Sequence, residues 1–93
     1  MKKYEIMFIV FPTMTEEDRI AAITSVEETL KSEGAENIVT EKWGERKLAY
    51  PIKKKETGFY VLTTFDIEGT RMFDVERKLN INESLMRYII VKK

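Results

Sequence analysis

Phe59-Tyr-Val-Leu-Thr-Thr-Phe-Asp-Ile67 carries the clearest secondary-structure signal in the chain. Every second residue from Phe59 to Ile67 is apolar or threonine, and this period of two predicts a strand with one buried face. The residues between them, starting with Tyr60, would line the opposite face. The preceding polar run, residues 53–58, closes with Gly58 and predicts a hairpin loop. We therefore expect this strand to pair antiparallel with the one before it.

The segments toward the N-terminus predict two more strands and a helix. Residues 38–53 indicate one long strand, with Gly44 as the point of a bulge. Residues 4–11 are apolar on both faces and end at Pro12, which is typical of a central strand. Between these strands, Thr15 precedes three acidic residues and predicts a helix start, and Gly34 predicts the helix end.

The C-terminal third completes the pattern. Thr70 is expected to cap a second helix that runs to about Asn80, and residues 85–91 predict a last strand. The order β-α-β-β-α-β predicts an α+β, ferredoxin-like split βαβ domain over residues 1–93. Its sheet would be four-stranded and antiparallel in the order 4-1-3-2, with both helices on one face. The other face would be open.

Composition excludes most catalytic chemistry. The 93 residues include no cysteine and no histidine, which removes disulfides, thiolate nucleophiles and imidazole acid–base catalysis. No Gly-rich phosphate loop or carboxylate metal loop is present. We therefore expect no enzyme, no cofactor and no metal site. Lysines and an apolar run open the chain like a signal peptide, but Glu5 interrupts the run and no cleavage site follows, so a cytoplasmic protein is expected.

The charge is balanced in total but segregated along the chain. Lysine and arginine number 16, as do aspartate and glutamate. Residues 16–33 nevertheless contain six acidic residues against two basic ones, and residues 41–55 contain six basic residues against two acidic ones. Such segregation produces a directional field that orients an anionic partner.

The open face of the predicted sheet combines aromatic, aliphatic and basic side chains. If the helices cover Tyr4, Ile6, Phe8 and Val10, the alternate residues remain exposed. The candidates for partner binding are Met7, Ile9, Tyr60, Leu62 and Ile89. Such a surface suits nucleotide bases or a protein partner, and the alternative is that these are ordinary, partly covered sheet residues. The residues alone leave both interpretations open.

Arg46 and Lys47 lie in the predicted second strand, which Pro51 marks as an edge strand because proline cannot donate a ladder hydrogen bond. Arginine offers a planar fork that fits phosphate, and lysine offers a point charge. The alternative role is edge protection, since charges and proline keep an edge from aggregating. The residues alone slightly favour edge protection.

Three segments together resemble one family. The run Gly44-Glu-Arg-Lys-Leu-Ala-Tyr-Pro-Ile-Lys53, the opening Lys2-Lys-Tyr-Glu-Ile6 and the closing Arg87-Tyr-Ile-Ile-Val-Lys-Lys93 resemble the bacterial small-subunit ribosomal protein six family, over essentially the whole chain. The resemblance implies a structural role on the ribosome, with binding to small-subunit (16S) rRNA together with small-subunit ribosomal protein eighteen. The RNA-binding residues that it implies are Lys2, Lys3, Tyr4, Arg46, Lys47, Arg87 and Lys92. Many family members continue in a charged tail that helps to contact the partner, whereas this sequence ends at Lys93.

Two other functions remain possible for this topology. One is a small-molecule-sensing domain that dimerises edge to edge, and the other is a protein-interaction domain that does not bind RNA. RNA binding with a steep negative salt dependence would favour the ribosomal function over both. The cations of the second predicted helix, Arg71, Arg77 and Lys78, are expected to form a solvated face, and the lysines at 53–55 a charged loop.

Overall fold

The computed structural model describes residues 1–52 and 55–93, and the side chains of residues 1–48 and 57–93. Its elements follow the predicted order. The chain forms β1 (Lys2–Val10), α1 (Glu16–Ser32), β2 (Glu36–Ile52), β3 (Lys55–Ile67), a 3₁₀ turn (Gly69–Arg71), α2 (Met72–Asn80) and β4 (Leu85–Lys92). No helix in the part of the chain that the structure describes is long and apolar enough to cross a membrane.

The sheet has the order β2-β3-β1-β4, which is the predicted topology. Each neighbouring pair of strands is antiparallel, so β1 lies between β3 and β4 and β2 forms the far edge. In the register, Phe8 lies opposite both Val61 and Tyr88. This pairing places Phe8, Val61 and Tyr88 on one face of the sheet, since directly opposed residues share a face.

The two helices cover that face and bury the main core. Members of this core come from β1, β3, β4 and both helices; the largest with no exposed surface are Phe8, Phe65, Ile6 and Leu30. The α1 helix starts where the Thr15 hydroxyl accepts a 3.1 Å hydrogen bond from the Asp18 amide. It ends at Ser32, and Gly34 turns the chain away from the helix axis with a φ of +87°, in the left-handed region that glycine adopts without strain.

Gly44 is the predicted irregular point of β2. Its φ is +89°, and the pairing with β3 shifts between Lys42 and Gly44. Trp43 is the extra residue of this bulge. Bulges of this kind increase the local twist of a strand pair and redirect the residues beyond them.

The predicted hairpin loop over residues 53–58 is too long. The β3 strand begins at Lys55, and both Thr57 and Gly58 lie in the ladder opposite Lys47 and Arg46. Gly58 is therefore not a turn residue. Residues 53 and 54 lie outside the described residues, so the charged loop predicted for the lysines at 53–55 falls largely outside them.

The start of the second helix also differs from the prediction. Thr70 lies inside the 3₁₀ turn, and α2 starts at Met72 with no side-chain cap hydrogen bond. The turn satisfies backbone groups by itself, since the Arg71 amide donates to the Glu68 carbonyl at 2.9 Å. A capping hydroxyl is unnecessary when a 3₁₀ turn leads into the helix.

Cations of the second helical segment do more than form a solvated face. The buried carboxylate of Glu33 accepts hydrogen bonds from Lys78 Nζ at 2.7 Å and from Arg71 at 2.8 Å. These two hydrogen bonds lower the pKa of Glu33. Glu33 follows the C-terminal end of α1, where the helix dipole disfavours a negative charge. The two cations offset that disadvantage and join α1 to α2.

Candidate functional site

The open face of the sheet, opposite the helices, carries a row of apolar side chains across three strands. Met7 of β1 lies opposite Leu62 of β3 on one side and opposite Ile89 of β4 on the other. Directly opposed side chains in antiparallel sheets are about 5 Å apart at Cβ, so these three are in contact range. Met7 and Leu62 are half-buried, and Ile89 is 53% exposed. We call Leu62, Met7 and Ile89 the apolar row.

The neighbouring row is covered rather than open. Ile9 lies opposite Tyr60 and Arg87 on the predicted face, yet only 7% of Ile9 is exposed. It belongs to a second cluster with Leu48 and Met86, against which Phe11 and Tyr60 pack. Ile9 therefore lies on the face that the sequence predicted. Because it is buried, it packs beneath Tyr60 and Phe11 and is not available for direct contact with a partner.

The second cluster forms where the β2–β3 hairpin extends past the rest of the sheet. Pairing of β1 with β3 ends at Val10 opposite Phe59, whereas β2 and β3 stay paired as far as Ile52 opposite Lys55. We call residues 46–52 and 55–58 the ribbon. Leu48 of the ribbon is only 6% exposed, because it packs in the second cluster.

The seven predicted RNA-binding residues fall into two groups at opposite ends of the sheet. Lys2, Lys3, Tyr4 and Lys92 lie together: Tyr4 is opposite Lys92, and the Lys93 amide donates to the Lys3 carbonyl at 2.8 Å. Arg46, Lys47 and Arg87 lie at the other end. From Lys3 to Ile9, the residue opposite Arg87, the strand rises about 20 Å at about 3.3 Å per residue. The apolar row lies between the two groups.

The groups are also divided between the two faces of the sheet. By register, Lys3, Arg46 and Arg87 lie on the open face, because their partners in the ladder do. Lys2, Tyr4, Lys47 and Lys92 lie on the side of the helices. The ring of Tyr4 stacks on Phe65 with 6.2 Å between the centroids, so its position is fixed by the main core.

Four described acidic side chains lie on the open face by register, Glu5, Glu36, Glu41 and Asp66, and all but Glu36 have a local partner. Glu5 Oε2 is 3.3 Å from Lys93 Nζ, and the Asn37 side-chain amide donates to Asp66 at 2.9 Å. Glu41 accepts from the indole N–H of Trp43 at 3.4 Å. The exposed acids of α1 lie on the other side of the molecule. The open face is therefore turned away from the acidic surface of α1.

Trp43 was not among the predicted site residues. It is the only tryptophan of the chain, lies at the bulge and is 45% exposed. An exposed aromatic ring three residues before Arg46 in the same strand is the kind of side chain on which unpaired bases stack. The signal in the sequence was a single tryptophan beside a glycine in the stretch 41–47, where every other residue is charged. Among the residues that the structure describes, no group of three metal-binding side chains occurs.

Comparisons with known proteins identify one family. The family model described as Ribosomal protein S6 matches residues 3–92. A small ribosomal subunit protein bS6 from Fusobacterium nucleatum subsp. nucleatum is 61% identical over 93 residues, which is 100% of this chain and 99% of that protein. A protein of the same name from Dictyoglomus turgidum is 38% identical over 97% of this chain and 93% of its own length.

Solved structures give the same result for the fold. The crystal structure of 30S ribosomal protein S6 from Thermotoga maritima has a TM-score of 0.92 and 28% identity, and the match covers 99% of this chain and 87% of that one. The P2 domain of the chemotaxis kinase CheA from the same organism has a TM-score of 0.62 at 16% identity. That second likeness shows the fold alone.

Proposed function

The chain belongs to the ribosomal protein S6 family and is a constituent of the small ribosomal subunit, and from this premise we propose how it binds its neighbours there. It binds small-subunit rRNA together with small-subunit ribosomal protein eighteen, as a structural and non-catalytic component of cytoplasmic ribosomes. The observation that carries the proposal is the placement of an apolar row between two basic groups at opposite ends of one sheet.

The apolar row is the part of this surface that suits a protein. Ile89 is 53% exposed and continues into Val91, which is 47% exposed, along the edge strand β4. Side chains of this kind gain most from burial against another apolar surface, at about 25 cal/mol per Å². Tyr60, beside the row, adds an aromatic ring with a polar end, which interfaces favour. We assign this region to protein eighteen.

The basic groups are the parts that suit RNA. Arg46 and Lys47 are exposed on the edge strand β2, and their side chains point to opposite faces. The guanidinium of Arg46 can form two parallel hydrogen bonds to one phosphate. Arg87 lies on the same face as Arg46, at the same end of the sheet.

Binding to RNA is expected to depend on the partner protein. The net charge is zero, and a protein that makes few phosphate contacts gains little from counterion release at physiological salt. A complex with protein eighteen joins two modest basic surfaces, so the second contact becomes effectively intramolecular. This explains why a domain with balanced charge serves as an RNA ligand.

The test is an RNA titration across salt concentrations, with and without protein eighteen. The pair is expected to bind central-domain rRNA far more tightly than the isolated chain. In the complex with protein eighteen, a double variant with alanine at both Arg46 and Lys47 should have a smaller dependence of RNA affinity on salt. The slope of log affinity against log salt should fall by about 1–2 units, since each phosphate contact that is lost lowers it by about one. The matched control is Arg77→Ala on α2. It removes an exposed cation from the helix side of the domain, away from the open face, and should leave the salt slope unchanged.

Three results would contradict the proposal. Equal RNA affinity with and without the partner would remove the cooperative role, as would full cooperativity in a Leu62→Asp variant, which places a charge in the apolar row. If the salt slope is unchanged in the double variant, then Arg46 and Lys47 do not contact RNA phosphates, and their role is to protect the edge strand from aggregation.

A further inference from the structure

The second cluster lies on the wrong side of the sheet to belong to the main core. Ile9, Leu48 and Met86 come from three different strands and are 6–7% exposed. No helix covers them, because both helices lie on the opposite face. Leu48, which packs with Ile9 in this cluster, belongs to the ribbon. The cluster therefore attaches the ribbon to the open face.

Gly58 makes that attachment possible. A Cβ atom at this position would lie 2.3 Å from Ile9 Cγ2 and 3.5 Å from Leu48 Cδ2. Isoleucine is branched at Cβ and has few rotamers, so a buried Ile9 has little room to move aside. Position 58 therefore requires glycine, because the Cγ2 methyl group of Ile9 occupies the space that the Cβ atom of any other residue would need.

Arg46 lies beside this arrangement, on the strand that carries Leu48. It is opposite Gly58 in the ladder and two residues before Leu48, so Arg46 and Leu48 share the open face. A two-stranded ribbon that extends beyond its sheet is marginally stable and strongly twisted by itself. The contact through Leu48 fixes the direction in which the ribbon leaves the sheet, and with it the backbone of Arg46.

We propose that the second cluster positions the RNA-binding ribbon, with Leu48 and Gly58 as positioning residues that do not touch RNA. The proposal rests on the proposed function, because it assumes that Arg46 meets rRNA. Both residues are buried in the free protein, so their effect on binding must pass through the ribbon. A ribbon that is ordered before binding avoids an entropic cost when the complex forms.

Two substitutions test this from opposite directions. Leu48→Ala removes the contact, and Gly58→Ala inserts an atom into it. In the free protein, both should increase hydrogen exchange at the ribbon amides, while exchange at Phe8 in the middle of β1 remains slow. With protein eighteen present, each should weaken RNA binding by about tenfold, which corresponds to ordering about one residue's backbone during binding.

A double-mutant cycle separates positioning from general destabilisation. If the cluster acts through Arg46, then Arg46→Ala should cost much less affinity in the Leu48→Ala background than in the wild-type protein. The control is Val75→Ala, which removes two methyl groups from the main core on α2. Val75→Ala should lower the unfolding temperature and leave RNA affinity unchanged. In a double-mutant cycle with Arg46→Ala, the effects of the two substitutions on affinity should add.

Each outcome decides between the two roles. Faster ribbon exchange with wild-type RNA affinity, or an additive Leu48–Arg46 cycle, would overturn the positioning role. If Leu48→Ala fails to fold, Gly58→Ala carries the same test, because it deletes no core atoms. A wild-type pair that does not bind RNA would refute the proposed function and this role together, whereas wild-type binding with unaffected variants would refute the positioning role alone.

Discussion

The two apolar clusters of this domain lie on opposite faces of one sheet and differ in what covers them. The main core is sealed by α1 and α2, and side chains such as Phe8, Val61 and Phe65 have no exposed surface. The second cluster has three buried members and is covered by the domain's own hairpin. The main core holds the helices against the sheet, whereas the second cluster fixes the position of the ribbon on the open face.

This difference predicts a division of labour. Removing atoms from the main core acts on the whole domain, because both helices and three strands meet there. Removing atoms from the second cluster releases only the part of β2 and β3 that extends beyond β1. Local opening of this kind occurs well below the free energy of global unfolding. The order of the binding segment therefore depends on a small cluster that is separate from the main core.

The largest expected effect comes from a pair of truncations, one in each cluster. Phe65→Ala should lower the free energy of unfolding by about 3–5 kcal/mol, and Met86→Ala by about 2 kcal/mol. Domains of this size have about 5–14 kcal/mol in total, so the first truncation removes a large share of the stability of the domain. Urea denaturation followed by Trp43 fluorescence measures both. Equal losses would show that the clusters form a single unit.

Sequence patterns predicted the main core better than the second cluster. The period of two in 59–67 and the two apolar faces of 4–11 predicted which side chains the helices cover, and Ile6, Phe8, Val61 and Phe65 are buried there. The ribbon was predicted on one of its two strands only: residues 46–52 were expected in a strand, as observed, whereas residues 55–58 were expected in a loop. A polar, glycine-containing segment looks the same in a loop and in a paired strand. Gly58 is explained only by Ile9, which is distant in the chain and adjacent in the fold.

The candidate site was predicted in its parts but only partly in its arrangement. The motif around Arg46 identified an edge strand, and β2 is an edge strand. The antiparallel pairing of the first and fourth strands, which the topology predicts, brings Lys2 and Lys3 close to Lys92 and Lys93. The distance between this group and the group of Arg46 and Arg87 depends on the exact register, which no local pattern specifies. The ion pairs of Glu33 with Arg71 and Lys78 span 38 and 45 residues, so local patterns showed the charges of α2 only as a solvated face.

A smaller effect concerns acid stability of the helix layer. The pKa of Glu33 is lowered in the folded protein from its ordinary value of 4.5, first by Lys78 and then by Arg71. A group of this kind stabilises the fold fully above its unfolded pKa, and the contribution is lost as the pH falls through the folded pKa. The difference in unfolding temperature between wild type and Glu33→Gln should therefore be constant near neutral pH and shrink below about pH 4.5.

The acid prediction also separates the clusters, because Glu33 joins α1 to α2 through ion pairs that involve neither β2 nor β3. Hydrogen exchange at the ribbon amides should be the same in Glu33→Gln as in the wild type. The control is Glu28→Gln on the exposed surface of the same helix, which should show no comparable gap in unfolding temperature. A gap that widens toward acid would contradict the assigned pairing.

The smallest expected effect is that of Arg77→Ala, and its size decides whether the helix side takes part in binding. Arg77 pairs with Asp74 one helical turn earlier at 3.1 Å, and its side chain is 66% exposed. Exposed pairs of this spacing contribute about 0.3–0.5 kcal/mol, because water and salt screen them. Chemical denaturation should therefore place the variant within about 0.5 kcal/mol of wild type. RNA affinity of the complex with protein eighteen should not change. A loss of several-fold would mean that α2 also contacts RNA, and the division between a covering face and a binding face would fail.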